Sequence, residues 1–360
     1  EAIMIERTDI DVIIVGQGIA GSSLAWALMD RGMRPLVIDD RRETSASSVA
    51  AGLITPVTGA KLKPQADFSF LASAAAAHYR AVEAATKVDC YHARPAWRLL
   101  STERELSVWN TADPGLLAEL KPTDELPTGI APGQVNTLMP NAARLDTQRY
   151  LEAVHTALCD KGLMLGGHVE PEDVTRVDAG IALPDLSVRA RHIVFCRGYA
   201  DARNSYFAGP SWRPAKGQVL TIRCADLDIA STVHAPGLWL TPLGGTLYLA
   251  GASYEWDTLD DRPTAEAREA LCEKLDRLLT VDYTVVDHRA AVRPIVQGRK
   301  PVCGPSPKDS RIWLFNGLSS KGALYAPTVA MQVAGALCKD IPVDDEYRFD
   351  LRASGEWQDD

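Results

Sequence analysis

The sequence predicts an α/β protein that begins with a strand, a glycine-rich turn, a helix and a second strand. Residues 11–15 form an apolar, β-branched run, and three glycines in the spacing GxGxxG follow it directly, at Gly16, Gly18 and Gly21. Gly16 permits the tight turn, Gly18 lets the backbone approach a pyrophosphate, and Gly21 lets the helix pack closely on the strand. The helix N-terminus then faces the phosphates. These observations predict a dinucleotide-binding unit of the Rossmann type.

The remainder of this unit follows in the sequence. Apolar residues recur at helical spacing as far as Gly32, which favours a helix end, and residues 35–38 return as a buried strand that ends at Asp39. An acid about 20 residues after the glycines accepts ribose hydroxyls and would repel a 2′-phosphate. NADP is therefore disfavoured, whereas NAD and FAD both stay open at this point.

Length and composition limit the class of protein. The 360 residues, 46% of them hydrophobic, are enough for two packed cores. The net charge is −9 and no run of five or more basic residues occurs, which argues against nucleic acid or an anionic membrane surface as a main partner. No segment approaches the ~18 apolar residues of a membrane span, and the N-terminus lacks the regions of a signal peptide. We therefore expect a cytoplasmic protein.

Cysteine and histidine spacing gives no sign of a metal site. The seven cysteines are scattered without any CxxC pair, and the seven histidines form neither HxxxH nor HExxH. Scattered cysteines in an odd number are typical of reduced thiols rather than of a disulfide framework. We expect no metal ion.

The middle of the chain alternates helices with irregular segments. Residues 45–62 are rich in small side chains that would let a large planar ligand lie close, although an ordinary loop has the same composition. Residues 68–87 predict an alanine-rich helix, and Thr102 with Glu105 forms a capping box that starts a short helix. Residues 114–140 are rich in proline, glycine and polar side chains, which suggests a crossing between domains.

The second half predicts more helices and a mixed sheet, because amphipathic segments alternate with apolar runs and glycine turns. The predicted elements are a helix from Asp146 to Gly162, a strand over 192–200, antiparallel strands over 217–224 and 238–256 with a turn at Gly244 and Gly245, and a helix introduced by Asp261 and Pro263 that runs through Leu279.

Taken together, these segments resemble the D-amino-acid oxidase superfamily of FAD-dependent oxidoreductases. That group includes glycine oxidase, sarcosine oxidase and the oxidase half of a tRNA-wobble-uridine modifying enzyme. The resemblance extends over nearly the whole chain, and the order of its motifs matches that family rather than NAD dehydrogenases. The motifs are VIIVGQGIAGSSLAWAL, ASSVAAGLITPVTG, RPAKGQVL, LTPLGGTLYLAGASYE, VRPIVQGRKPVCG and the closing FNGLSSKGALYAPTVA.

The resemblance implies a Rossmann-type FAD-binding domain built from separated stretches and a second, mixed-sheet α+β substrate domain that covers the flavin. Residues 1–80, 141–210 and 291–360 would form the FAD-binding domain. Residues 81–140 and 211–290 would form the substrate domain. No cysteine occupies the family's covalent flavin position, because Cys303 lies some residues beyond it, so we expect non-covalent FAD.

The same resemblance implies a set of cofactor-binding residues. The backbone of Val169 would meet the adenine, and the residues after Gly317, followed by a helix that starts near Pro327, would direct backbone amides at the flavin. The resemblance gives no role to Arg197, which stands next to Gly198. The expected cofactor-binding residues are Gly16, Gly18, Ile19, Ala20, Gly21, Asp39, Asp40, Ser47, Ser48, Ala50, Ala51, Gly52, Leu53, Val169, Gly198, Arg293, Gly317, Leu318, Ser319, Ser320, Lys321 and Gly322.

For the reaction, the resemblance implies oxidation of a C–N bond in a small amine or amino acid, with hydride transfer to flavin N5. Arg293 matches the arginine that holds a substrate carboxylate with a planar two-pronged contact, although the chain has five Arg-Pro pairs and the dipeptide alone means little. Trp239 and Tyr254 would lie in the substrate sheet facing the flavin, although an aromatic side chain on an apolar strand is more often part of a core. Tyr254 replaces the oxygen-activating lysine of sarcosine oxidases, so O2 or another acceptor stays open.

Two other hypotheses remain at this stage, and the oligomeric state is open. The protein could be a flavoenzyme related to the tRNA-modifying oxidase that acts on an RNA-borne or larger amine, for which a basic surface around the substrate site would be the discriminating feature. It could also be a catalytically idle module that binds a dinucleotide without turnover.

Overall fold

The computed structural model describes residues 9–207, 211–339 and 341–351, and its elements are labelled in chain order. It is built around two large sheets, one mostly parallel and one mixed. The predicted α/β class is confirmed. The helices of the described residues are α1 (Ile19–Met29), α2 (Ala46–Val49), α3 (Phe68–Thr86), α4 (Glu103–Asn110), α5 (Pro114–Glu119), α6 (Thr147–Asp160), α7 (Ala265–Leu278) and α8 (Gly322–Lys339).

The mostly parallel sheet has six strands. Each of its central strands is apolar and buried on both faces, as expected where helices cover a parallel sheet. Only the last pair is antiparallel. In spatial order the strands are β11 (Met164–Gly166), β2 (Pro35–Asp39), β1 (Val12–Val15), β15 (His192–Phe195), β22 (Asp309–Asn316) and β21 (Val302–Ser306).

The second large sheet has eight strands and alternates between two environments. Side chains such as Leu220, Leu240 and Tyr248 pack with Leu271 and Leu275 of α7, whereas the residues between them face away from that helix. In spatial order the strands are β20 (Thr284–Arg293), β16 (Ala215–Arg223), β19 (Leu247–Gly251), β18 (Leu238–Gly244), β17 (Val233–Ala235), β7 (Ala96–Leu100), β9 (Val135–Met139) and β8 (Lys121–Pro122).

Three small sheets complete the described strands. The first joins β3 (Leu53–Ile54), β10 (Ala143–Leu145) and β6 (Tyr91–Ala93), the second joins β12 (Thr175–Val177), β13 (Gly180–Leu183) and β14 (Val188–Ala190), and the third pairs β4 (Val57–Thr58) with β5 (Lys63–Pro64).

Several predicted elements are confirmed in detail. The Thr102 side chain accepts a hydrogen bond from the backbone amide of Glu105, and the Glu105 side chain accepts one from the backbone amide of Thr102. This capping box starts α4. Asp146 caps α6, which ends before Gly162, a residue with φ +66°. The helix predicted to run through Leu279 is α7, which begins after its cap Thr264 and buries Ala267, Leu271, Leu275 and Leu278.

Three sequence predictions need correction. The strand predicted over 192–200 ends at Phe195, because the chain turns into a 3-10 helix over Gly198–Arg203. The crossing predicted over 114–140 contains α5, β8 and β9, and β9 pairs with β7 along its whole length. Proline and glycine in this segment therefore mark edge strands and turns of the eight-stranded sheet.

The third correction concerns Pro327, which lies inside α8 rather than at its start. A proline there removes the amide that would donate to the carbonyl four residues earlier, at Ala323. The Tyr79 hydroxyl of α3 donates to that carbonyl instead, at 2.8 Å. Because the free acceptor is satisfied from outside the helix, α8 continues through the proline.

This contact generates a stability prediction. We expect Tyr79→Phe to lower the free energy of unfolding by about 1–3 kcal/mol, because it leaves the Ala323 carbonyl buried without a donor. Tyr91→Phe is the matched control, since the Tyr91 ring stacks on Tyr79 and keeps its packing. Chemical denaturation of both variants measures the difference, and equal stability would show that the hydroxyl does not support α8.

Candidate functional site

The turn between β1 and α1 presents backbone amides at the carboxyl edge of the parallel sheet. Gly16 has φ +102°, and a Cβ on Gly21 would lie 1.9 Å from the Gly16 carbonyl oxygen. The Ile19 amide donates to the Ser47 hydroxyl at 3.0 Å, and Ala20 follows in the buried first turn of α1. The first turn of α1 therefore lies where its backbone amides can donate hydrogen bonds to a phosphate.

The acid that ends β2 closes one side of this turn. Asp39 accepts from the amides of Gln17 and Arg41, each at 2.6 Å, so its carboxylate is held beside the glycine turn. Asp40 instead bonds to Arg42 and His168, and these contacts lower its pKa although partial burial opposes them. Of the two acids, only Asp39 contacts the glycine turn.

The small-residue segment after Asp40 runs along the same cleft and is held by its backbone. A capping box between Ser45 and Ser48 turns the chain. The carbonyls of Ser48, Ala50 and Ala51 accept from side chains in β10 and at the start of α6, which are Gln148, Thr147 and Arg144. A Cβ on Gly52 would lie 1.9 Å from the Leu145 carbonyl oxygen, and Leu53 continues as β3. These contacts place a thin wall of backbone, with Ser47 at its start, on one side of the cleft.

Arg197, which the sequence left without a role, holds the opposite wall. Its guanidinium donates to the Val169 carbonyl, to Glu170 at 2.6 Å and to Asp201 at 2.9 Å. Burial acts to lower the pKa of Arg197, but the carboxylates of Asp201 and Glu170 outweigh it and raise this pKa. Arg197 therefore positions the segment after β11 that carries Val169.

Asp201 is fully buried and satisfied by more than Arg197. It also accepts from Asn204 at 3.1 Å and from Asn316 at 3.0 Å, and Asn316 in turn donates to the Gly198 carbonyl. The carboxyl ends of β15 and β22 are thereby joined. Gly198 has φ +60° at this junction and lines the cleft.

The closing motif forms the far end of the cleft. Leu318, Ser319, Ser320, Lys321 and Gly322 line it, whereas Gly317 lies behind the surface against Val296. The Lys321 ammonium donates to Gln65, which donates to the Tyr325 hydroxyl. Sequence reasoning gave no role to Gln65, and its position three residues before α3 gave no signal of this contact.

Arg293 ends β20 and lies within the cleft. Its Nη1 donates to the carbonyls of Ser253 and Lys216, and its Cζ lies 4.0 Å from the centre of the Tyr254 ring. A Cβ on Gly217 would lie 2.2 Å from this Cζ, so the guanidinium rests directly on the glycine backbone. Burial lowers the pKa of Arg293, with Tyr254 and Glu255 acting against it.

The two aromatic residues predicted for the substrate side occupy different positions. Trp239 lies in β18, packs against Gly251 and lines the cleft. Tyr254 lies after β19 rather than within it, and about half of its surface is exposed. Tyr254 therefore supports the Arg293 guanidinium, whereas Trp239 forms part of the sheet face.

All these walls enclose one continuous cleft of about 2610 Å³ between the two large sheets. It extends from Gly18 and Asp39, past Leu53 and Trp239, to Arg293 and Lys321. A long planar cofactor with a pyrophosphate fits this shape, because glycines and small side chains line the walls at residues 16–20 and 45–52 and the N-terminus of α1 presents the amides that phosphates need as donors. Within the described ranges, no group of three His, Cys, Asp or Glu residues could hold a metal ion. The same residues contain no helix long and apolar enough to span a membrane.

Comparison with known proteins gives a consistent result. A family model described as FAD dependent oxidoreductase matches residues 11–336. A tRNA 5-methylaminomethyl-2-thiouridine biosynthesis bifunctional protein from Maricaulis maris is 29% identical over 93% of this chain and 53% of that protein, so the chain spans about half its length. A glycine oxidase from Pseudomonas putida is 25% identical over 93% of this chain and 96% of its own length.

Solved structures share the fold. A glycine oxidase from Geobacillus kaustophilus superposes with a TM-score of 0.78 at 20% identity, over 92% of this chain and 95% of that one. An iminodiacetate oxidase from Chelativorans gives a TM-score of 0.78 at 18% identity, over 94% of this chain and 98% of that one.

The glycine turn generates a second prediction. We expect Gly21→Ala to abolish retention of a bound dinucleotide and to lower stability, because its Cβ would lie 1.9 Å from the Gly16 carbonyl. Gly166→Ala at the end of β11 is the control, since nothing lies within 4 Å of its Cβ. The measurements are cofactor content after desalting and the unfolding midpoint. A Gly21→Ala protein that keeps both would show that the turn tolerates a side chain.

Proposed function

Because the chain belongs to the family of FAD-dependent oxidoreductases, we propose that it oxidises the C–N bond of an amine that carries a carboxylate. The observation that supports this most is the position of Arg293, whose guanidinium lies in the cleft on the bare backbone of Gly217 and over Tyr254. A planar guanidinium with free donors can hold a carboxylate through two parallel hydrogen bonds.

The cofactor-binding residues are part of the proposal. The adenosine would lie between Asp39 and Val169, the pyrophosphate at Gly18 and Ser47, and the flavin along Ala50–Leu53 toward the closing motif at Leu318. When bound, FAD accepts a hydride from the carbon next to the amine and passes the electrons to O2 or another acceptor. Non-covalent binding is also proposed, because no cysteine is assigned to a covalent link.

The chain's own residues have a positioning role in this reaction. Arg293 would anchor the carboxylate, which fixes the direction in which the neighbouring carbon faces the flavin. The sheet face with Trp239 and Gly251 would exclude water from that carbon. Loss of hydride from the neutral amine leaves an iminium ion, and addition of water to this ion releases a carbonyl compound, ammonia or an amine, and a proton. The residues therefore need only bind and orient the substrate.

The test replaces the anchor. We expect Arg293→Ala to lower kcat/KM for a carboxylate-bearing amine by ~10²-fold or more, which corresponds to roughly 3 kcal/mol of lost charge-assisted binding. Arg293→Lys keeps the charge but loses the two-pronged contact, so we expect an intermediate loss. Anaerobic bleaching of the flavin band by glycine, sarcosine, proline and D-amino acids identifies the amine for these measurements.

The control is Arg223→Ala, because Arg223 is an exposed arginine at the end of β16 in the same sheet. It should leave kcat/KM unchanged. Undiminished turnover in Arg293→Ala would show that the carboxylate binds elsewhere. A flavin band that no amine bleaches would contradict the proposed reaction.

A group of cations favours a second candidate, an amine carried by RNA. Lys61, Lys63, Arg299 and Lys321, here called the cation group, line one end of the cleft. Burial lowers the pKa of Lys321, and the nearby charges of Lys63 and Arg299 lower it further, so these three members of the group lie close together. The cation group would attract the phosphate groups of RNA, even though the protein as a whole has a net charge of −9.

The second candidate predicts salt-dependent RNA binding. We expect a tRNA to bind with an affinity that falls as salt rises, and Lys61→Ala with Lys63→Ala to weaken binding at least tenfold. The control changes Lys121 and Lys161, which are exposed and outside the cleft. Fluorescence anisotropy measures both. No binding at low salt, or equal weakening in the control, would exclude RNA as the carrier of the substrate.

A further inference from the structure

One row of side chains crosses the eight-stranded sheet on the face that lines the cleft. Paired residues of neighbouring strands direct their side chains to the same face. Trp97, Leu99, Val233, Leu238 and Leu240, which alternate with members of this row, pack on the α7 side. The row is Val219 of β16, Gly251 of β19, Trp239 of β18, His234 of β17, Arg98 of β7 and Thr137 of β9.

His234 has a buried imidazole nitrogen without a hydrogen-bond partner in the described part of the chain. Its side chain lines the cleft and is only 9% exposed, yet Nε2 is buried without a hydrogen bond to any described residue. Burial, together with the charge of Arg98, lowers the pKa of His234 to about 3, so the ring is neutral near pH 7. A neutral imidazole has one donor and one acceptor, and a buried polar atom without a partner is destabilising.

The neighbours of His234 in the row do not satisfy it. Arg98 donates through Nη2 to Glu105 at 3.0 Å and to the Gly59 carbonyl at 2.8 Å, and its Nε is also buried without a partner among the described residues, so no hydrogen bond joins Arg98 to Nε2 of His234. The indole nitrogen of Trp239 does not donate to Nε2 of His234 either. A ligand that enters the cleft along this face would therefore meet the flat surface of Trp239 and then an unpaired imidazole.

Sheet geometry gives the separation between His234 and Arg293. The Arg293 guanidinium lies over Gly217, which shares the cleft face of β16 with Val219. Three strand spacings separate β16 from β17, which amounts to roughly 14 Å. Glycine or sarcosine bound at Arg293 is too short to reach His234.

We propose that the cleft accepts an elongated amine with its carboxylate at Arg293, its middle against Trp239 and a terminal hydrogen-bonding group at His234. This inference rests on the proposed function, because it uses Arg293 as the anchor. It makes His234 a specificity-determining residue that selects the far end of the substrate. A site built to hydrogen-bond a polar group discriminates against an apolar analogue, because its own polar atom is then left unpaired.

The test uses N-substituted glycines with tails of increasing length that end either in a carboxamide or in an isopropyl group of similar shape. We expect the wild-type protein to prefer the carboxamide at one tail length by about tenfold in kcat/KM, measured by anaerobic flavin reduction. His234→Leu should remove this preference, and His234→Gln, which keeps a donor and an acceptor, should restore part of it. The shortest glycines should react equally in all three proteins.

His288→Leu is the matched control. His288 also has a buried Nε2 without a partner, but it pairs with Leu220 and so lies on the α7 face of the same sheet. It should keep the carboxamide preference. Thermal unfolding of each variant verifies that it is folded. If His234→Leu does not fold, His234→Gln is compared with the wild-type protein instead.

The outcomes separate the two proposals. If short glycines react but the wild-type protein shows no carboxamide preference, or His234→Leu and His234→Gln both keep it, the assignment of His234 is wrong and the proposed reaction stands. If His288→Leu loses the preference as fully as His234→Leu, the effect comes from the sheet and the assignment is again wrong. If no N-substituted glycine reduces the flavin although another carboxylate-bearing amine of the panel does, this inference fails and the proposed reaction stands. If no amine of either set reduces the flavin in the wild-type protein, the proposed function fails and this inference fails with it.

Discussion

The carboxyl edge of the parallel sheet depends on one buried carboxylate, Asp201. It has no solvent contact, and its oxygens accept from the backbone and guanidinium of Arg197 and from the amides of Asn204 and Asn316. A buried charge is tolerated only when it is paired and its remaining lone pairs are satisfied. The need to satisfy Asp201 therefore fixes the ends of β15 and β22 and, through Arg197, the position of Val169. The cleft has its shape because these segments cannot move independently.

The local features of the fold were predictable from sequence because their causes are local. The glycine spacing, the Thr102 and Glu105 capping box and the Asp146 cap each involve residues a few positions apart. Sequence reasoning placed the start of the last helix near Pro327 because the satisfying donor, the Tyr79 hydroxyl, lies 244 positions away from Ala323. Register is equally non-local. Nothing in the sequence indicates that His234 pairs with both Trp239 and Arg98.

The candidate site shows the same division. Individual motifs indicated Gly16, Asp39, Gly52 and Arg293, and the structure places them in or against one cleft. The cation group was invisible because its members come from separate segments and form no basic run, so an overall charge of −9 obscured it. The partners of Arg197 were invisible for a similar reason, since Glu170 lies 27 positions earlier in the chain. Charge arguments from composition describe the whole surface, whereas a substrate responds to the local potential of the cleft.

The hydrogen bond from Tyr79 to the Ala323 carbonyl, four residues before Pro327, also has an evolutionary consequence. The proline removes a donor from α8 and the tyrosine supplies one from α3, so each residue is advantageous only while the other is present. A lineage that exchanged Tyr79 for phenylalanine would be favoured to exchange Pro327 for a residue with an amide hydrogen, and the reverse order is equally open. The two positions are therefore expected to change together during evolution, although their side chains form no hydrogen bond with each other. Substitutions at these two positions would occur together, and sequences with only one of the two changes would be rare.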